Sequence, residues 1–300
     1  MSMHKSDAPA ETQVHLALFI TMMVWGVNLS AVKGLTENLD LMLVASVRMV
    51  MAALVLALIA QIAGISKQRW HVKKWLFLVT AAFFLVYCQQ IAFAEGLFKT
   101  SATNAALVMA LGPTVSVSLE AVFFKRTITR RQVAGIVLAL TGVSAVILNR
   151  PHAAVTTAAW GDLWIFLSVL AFAIGGLCIQ RLTQTSSPLV TSFVVHAIGA
   201  LMLSVHAAVN VEELLPTVWR MTSWQWSLAA FSAIFATGIG SIVWSRGIAT
   251  IGVGRTSSYI SWVPIFGVCF GAMFFAESLT AWHVSGLLAV IGGTTLIVRR

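Results

Sequence analysis

The chain contains ten apolar blocks of roughly 20 residues each, separated by short polar or basic stretches. A helix rises about 1.5 Å per residue, so each block can cross a hydrocarbon core roughly 30 Å thick. Inside a bilayer no water meets the backbone, and such a run satisfies its own N–H and C=O groups as a helix. The blocks run approximately 14–35, 39–63, 75–97, 102–124, 132–148, 161–181, 188–209, 224–247, 255–276 and 281–298. No segment between them could fold as a separate domain; the longest is the stretch around Val211 to Ser223. Only 10% of the 300 residues are charged and 59% are hydrophobic, against roughly 25% charged in soluble domains. A soluble enzyme, a disordered chain and a disulfide-rich secreted domain are excluded. The expectation is an all-α integral membrane protein with ten transmembrane helices.

The cations test that count. Fourteen of the 19 Lys and Arg residues fall on the face that holds the N-terminus, among them Lys73, Lys74, Lys125, Arg126, Arg130, Arg131 and Arg255. Four (Lys33, Lys99, Arg150, Arg220) fall on the opposite face, and Arg48 alone lies near the middle of a block. The positive-inside rule then puts both termini in the cytoplasm of a multi-pass protein of the bacterial inner membrane. The net charge of +9 is thereby explained without nucleic acid, which is not an expected partner. The polar first dozen residues and the long block after them do not read as a cleavable signal. Cys88, Cys178 and Cys269 all lie inside apolar blocks and are expected as free, buried thiols.

The chain also repeats itself. Residues 113–147 align without gaps on 264–298, superposing Pro113 on Pro264, Phe123 and Phe124 on Phe274 and Phe275, Gly135 on Gly286 and Gly142 on Gly293. The unit is five spans, an odd number, so the halves cross the membrane in opposite senses. The boundary divides the chain into 1–148 and 149–300, two inverted five-helix repeats that together form one transport domain. Inverted repeats with a site at their interface are a transporter architecture.

Several motifs carry a resemblance to a known group. Trp25-Gly26-Val27-Asn28 with Lys33, Ser46-Val47-Arg48-Met49 with Ala52, and Pro264 followed by Phe275-Ala276-Glu277-Ser278-Leu279 and Gly286 resemble signatures of the drug/metabolite transporter superfamily. Their order is similar to that of its ten-helix EamA-type exporters, and most similar to the YddG-type exporters of aromatic amino acids. The first half departs from the pattern, with Lys125-Arg126 where the group often has Glu. The resemblance implies ten helices, cytoplasmic termini, an inner-membrane location and efflux of small metabolites.

Polar groups inside hydrocarbon are costly and face the protein interior or a water-filled cavity. Helical spacing puts Thr21, Trp25 and Asn28 on one face, and Phe83, Tyr87, Gln90 and Ala94 on another. With Ser241 and Trp244, Ser258, Tyr259 and Trp262, and Trp164 at a span end, they form an aromatic wall holding a few amides and hydroxyls. Such a wall suits a small zwitterion with an apolar side chain. The candidate substrate-binding residues are Trp25, Asn28, Arg48, Phe83, Tyr87, Gln90, Trp164, Trp244, Tyr259 and Trp262. Arg48 either clamps a carboxylate or is structural, held by backbone carbonyls or an acid such as Glu120. His196 reads as a satisfied interior histidine. The remaining tryptophans sit at span ends, as an interfacial belt.

Pro113 and Pro264 interrupt equivalent spans and are candidate hinges. Glycines seven apart in spans 5 and 10 leave small faces that pack on each other or on a second copy of the chain; a monomer is favoured. No phosphate-binding loop, no metal-ligating set and no nucleophile–base constellation is present in the sequence. No cofactor, metal or catalytic residue is therefore expected. The reading is a secondary exporter of small metabolites, chiefly amino acids with aromatic or apolar side chains. Its partners are the small-molecule substrate and the lipid bilayer. The alternatives are efflux of hydrophobic cations and, further off, an intramembrane enzyme.

Overall fold

The computed structural model describes residues 8–64, 71–99, 108–109, 111–148, 160–263, 265–266 and 281–298. All regular structure among the described residues is helical. In chain order the helices are α1 (Ala8–Thr36), α2 (Leu41–Ile62), α3 (Val72–Ala82), α4 (Gln89–Lys99), α5 (Gly112–Phe123), α6 (Arg130–Leu148), α7 (Trp160–Leu182) and α8 (Pro188–Asn210). They continue with α9 (Leu214–Arg220), α10 (Ser223–Phe231), α11 (Gly240–Ile251), α12 (Val253–Ser258) and α13 (Ala281–Val298). Each of the ten apolar blocks coincides with all or part of a helical segment. Among the described residues, six continuous helical stretches (Glu11–Thr36, Leu41–Ile62, Val72–Gly96, Trp160–Leu182, Pro188–Asn210 and Ser223–Ile251) are long and apolar enough to cross a membrane by themselves.

The chemistry at the helix starts follows the sequence. Asp40 accepts from the amides of Met42 and Leu43 to begin α2, Ser187 caps α8 ahead of Pro188, and Thr222 with Gln225 forms a capping box on α10. Pro113 stands in the first turn of α5, where its missing N–H leaves no intrahelical bond unmade. Pro264 lies outside the described residues.

Two stretches depart from the α-helical period. Phe83–Cys88 joins α3 to α4 and Ser232–Ile239 joins α10 to α11, both as π-helix. They occupy the third and eighth spans, which are equivalent under the repeat. The fold is thus two inverted five-helix repeats that share an irregularity as well as a sequence pattern. The first of these wide turns is seated against small neighbours: a methyl on Gly175 would lie 2.5 Å from Leu85 Cβ, and one on Gly199 2.5 Å from Val86 Cβ.

Between the halves, α2 lies along α8, α4 along α7, α5 along α12, α6 along α13, and α1 against α10, α11 and the π stretch between them. The closest of these is α6 on α13. A Cβ on Gly135 would stand 2.6 Å from the Gly293 carbonyl oxygen, and one on Gly293 2.5 Å from that of Gly135. The small faces of spans 5 and 10 therefore pack on each other.

Three boundaries differ from the sequence reading. The expected loop at 211–223 contains α9, entered through Glu213 with φ 51°. The gap expected between 247 and 255 is absent: α11 continues to Ile251, and Gly252 alone, at φ 85°, turns the chain into α12. The ninth span is not one smooth helix, because α12 tightens into a 3-10 turn at Tyr259–Ser261.

Candidate substrate-binding site

An aromatic centre forms where α1, α7, α11 and the segment after α12 meet. The rings of Trp25 and Trp244 are 5.5 Å apart, with Phe172 of α7 5.3 Å from Trp244. Trp262 meets Phe19 at 4.9 Å and Phe266 at 5.9 Å, and Phe19 meets Phe266 at 5.3 Å. Trp25 donates from Nε1 to the Ala236 carbonyl inside the second π stretch, 2.8 Å. Tyr259, buried, shares a hydrogen bond of 2.7 Å with His15 Nδ1. Among the described residues, two polar atoms of this centre, Trp244 Nε1 and Trp262 Nε1, are buried without a hydrogen-bond partner, as is Oδ1 of Asn28, which follows Trp25 by one turn on α1. Leaving such groups unmet costs about 1–3 kcal/mol each, so one acceptor and two donors are held ready in an apolar surround.

Nearer the basic face, Glu120 at the end of α5 ties three segments together. Its Oε1 accepts from Arg126 Nη1 (2.7 Å) and Gln180 Nε2 (3.0 Å), and its Oε2 accepts from the Gly254 amide (2.8 Å). Gln180 Oε1 accepts in turn from the Val253 amide, 2.8 Å. Two side chains, from α5 and α7, thus cap the first amides of α12. A Cβ on Gly254 would sit 2.5 Å from Glu120 Oε2, so only glycine admits this approach.

The sequence matches the EamA-like transporter family over residues 12–148 and again over 159–299. The chain belongs to that family. It is a transporter and not an enzyme. Among relatives of this EamA transporter, an uncharacterized transporter of Bacillus subtilis, YyaM, is 31% identical over 58% of this chain and 57% of that protein. A probable terminal-alkyne amino-acid exporter of Streptantibioticus cattleyicolor is 24% identical over 95% of this chain and 93% of that one. A probable amino-acid metabolite efflux pump of Salmonella typhimurium is 25% identical over 93% of this chain and 92% of that one. A solved crystal structure superposes with a TM-score of 0.81 at 16% identity, covering 95% of this chain and 96% of that one; it shows the fold.

The EamA fold gathers Trp25, Trp244, Tyr259 and Trp262 about its centre, carries Asn28 one turn beyond Trp25 on α1, and leaves the other candidates elsewhere. Arg48 is buried and donates from Nε to Ser232 Oγ at 2.5 Å, so its partner is the second π stretch and not Glu120. Phe83 is 38% exposed. It stacks on Tyr87 at 5.8 Å, and Tyr87 reaches His206 Nδ1 at 3.0 Å. Gln90 donates to Gln89 at 2.9 Å. The expected Phe83–Tyr87–Gln90 face assumed 3.6 residues per turn, and the π stretch breaks that phase. Trp164 lies under the Lys99 ammonium, 5.7 Å from its ring centre. With Phe84 and Tyr87 it lines a separate apolar cavity of about 220 Å³ between the third span and α7.

His196 is buried with Nδ1 2.8 Å from the Ser192 carbonyl, an interior histidine as expected. Cys88 and Cys178 are free thiols, and Cys269 lies outside the described residues. The sequence reading passed over Phe19, Phe172, Phe266, His15 and Gln180. His15 and Gln180 carried a signal, being polar groups inside apolar blocks. The three phenylalanines did not, because nothing distinguishes a cavity phenylalanine from a lipid-facing one in a uniformly apolar run.

Proposed function

We propose that this transporter exports small metabolites, chiefly amino acids with aromatic or apolar side chains, by alternating access around the aromatic centre between residues 1–148 and 149–300. The termini then face the cytoplasm of the bacterial inner membrane, in keeping with the cation bias. The observation that carries the reading is the set of unmet atoms. Asn28 Oδ1 can accept from a substrate ammonium, and the indole N–H groups of Trp244 and Trp262 can donate to a carboxylate. The rings of Trp25, Phe172, Phe19 and Phe266 supply apolar area for the side chain, and their faces attract the ammonium. Relatives named as amino-acid exporters point to the same substrate class.

Uptake of radiolabelled tryptophan, phenylalanine, threonine and methylviologen into proteoliposomes, with and without a pH gradient, tests this. Asn28→Ala, Trp244→Phe and Trp262→Phe are each expected to weaken amino-acid transport about tenfold, the value of one hydrogen bond to a charged group. Trp25→Phe removes a bond to the protein's own backbone, and so lowers stability more than apparent affinity. Movement of methylviologen without any amino acid would overturn the reading and indicate cation efflux.

A further inference from the structure

The basic face contains a cavity of about 1000 Å³, set between the end of α5, the start of α6, the end of α7 and the α11–α12 joint. Five cations line it: Lys125, Arg126, Arg130, Arg131 and Arg255. Glu120 is the one carboxylate in the lining, and it is already engaged by Arg126, Gln180 and the Gly254 amide. Among the described residues, Lys125, Arg130, Arg131 and Arg255 form no ion pair. Lys125 moreover adopts φ 50°, the left-handed region that favours glycine. The chain thus keeps a lysine in a backbone conformation unfavourable to it, at the rim of a cavity where four of the five lining cations have no carboxylate partner among the described residues.

The positive-inside rule accounts for the face these residues occupy. It does not account for four unpaired cations converging on one concavity. Arg181 and Arg246 belong to the same face, are exposed, and lie outside the lining. Like charges gathered around a low-dielectric concavity raise its potential and repel one another until an anion neutralises them. Guanidinium forks match phosphate oxygens two at a time, and an ammonium adds a point charge.

We propose that this cavity is a binding site for a phosphate-bearing anion, distinct from the aromatic centre and independent of the exported substrate. The phosphate belongs either to the headgroup of an acidic phospholipid in the adjoining leaflet or to a small soluble molecule. Basic pockets between spans on the cytoplasmic side are suited to the former.

The test is thermal unfolding of the full-length protein in detergent, read by tryptophan fluorescence. Phosphatidylglycerol, phosphatidylcholine and sodium phosphate are titrated at matched ionic strength. A saturable rise of the midpoint with phosphatidylglycerol alone identifies a lipid site; a rise with sodium phosphate identifies a soluble ligand as well. The paired substitution Arg130→Gln with Arg131→Gln, and the single Lys125→Gly, are expected to raise the half-saturating concentration roughly fivefold for each cation removed. Lys125→Gly separates binding from folding, because glycine is at ease at this φ and the unliganded midpoint is expected to hold or rise. Arg181→Gln with Arg246→Gln is expected to leave the titration unchanged. The absence of a saturable shift with either anion overturns the proposal. So does an equal loss in the Arg181/Arg246 variant, which would reduce the effect to general surface charge.

Discussion

Replacing Glu120 by alanine is expected to lower stability by about 3 kcal/mol, whereas replacing Arg126 by glutamine is expected to cost less than about 1 kcal/mol. The asymmetry follows from burial. The Glu120 side chain is only 10% exposed and that of Arg126 is 59% exposed, so the ion pair is screened from one side and contributes little. The bonds from Gln180 and the Gly254 amide come from buried donors. Each loses a charged acceptor in the alanine variant, which leaves a buried donor to be satisfied again. Glu120→Gln is an intermediate case: it retains an acceptor for one donor and sets an amide N–H against the other. Apparent melting temperatures of the three purified variants give the ranking. Equal losses for Glu120→Ala and Arg126→Gln would show that the ion pair, and not the capping of α12, holds these segments together.

The second large effect is expected at the glycine contact between α6 and α13. The Gly293 Cβ of an alanine variant would lie 2.5 Å from the Gly135 carbonyl oxygen and 2.8 Å from Ala139 Cβ. Both neighbours are fixed to helix backbone, so the helices must move apart along their whole contact. Overpacking of this kind costs about 1–3 kcal/mol in soluble cores, and Gly293→Ala is expected at or above the upper end. Gly292→Ala is the control. Its Cβ would meet only Leu138 Cδ2, at 3.1 Å, the free end of a side chain that can rotate away. Folded yield after detergent extraction, followed by size-exclusion chromatography, distinguishes the two. If Gly292→Ala proved as damaging as Gly293→Ala, close approach at Gly135 would not be what joins the two spans.

Much of this fold was legible because the bilayer leaves a chain few options. Block length set the spans, and the bias of cations set their alternation. The shared Pro, Gly and Phe-Phe positions exposed the repeat that makes the two halves partners. Composition could not reveal where a helix widens. The π stretches at Phe83–Cys88 and Ser232–Ile239 carry mainly ordinary apolar residues, and what marks the first of them is its close approach to Gly175 and Gly199 on other helices. That is tertiary information, and it changes the phase of Gln90 relative to Phe83 and Tyr87, which still stack on each other.

Depth was more readable than partnership. Trp244 is 3% exposed as its position in a block suggests, while Trp219 and Trp160 at block ends are 85% and 79% exposed. Which group each buried polar residue would meet was not encoded locally. Arg48 is 184 residues from Ser232, and Glu120 is 134 from Gly254. Only the fold brings such pairs together.

The joint at Gly252 bears on how the protein can move. A loop of several residues would let the eighth span tilt while the ninth stayed still. One glycine between α11 and α12, with its neighbour Val253 bonded to Gln180 and Gly254 to Glu120, leaves the hairpin no slack. A displacement of α11 would therefore act directly on α12 and on the bonds that hold it to Gln180 and Glu120, as by a bell crank pivoting on a single pin. Lengthening that pin by two or three flexible residues would let one arm swing without the other.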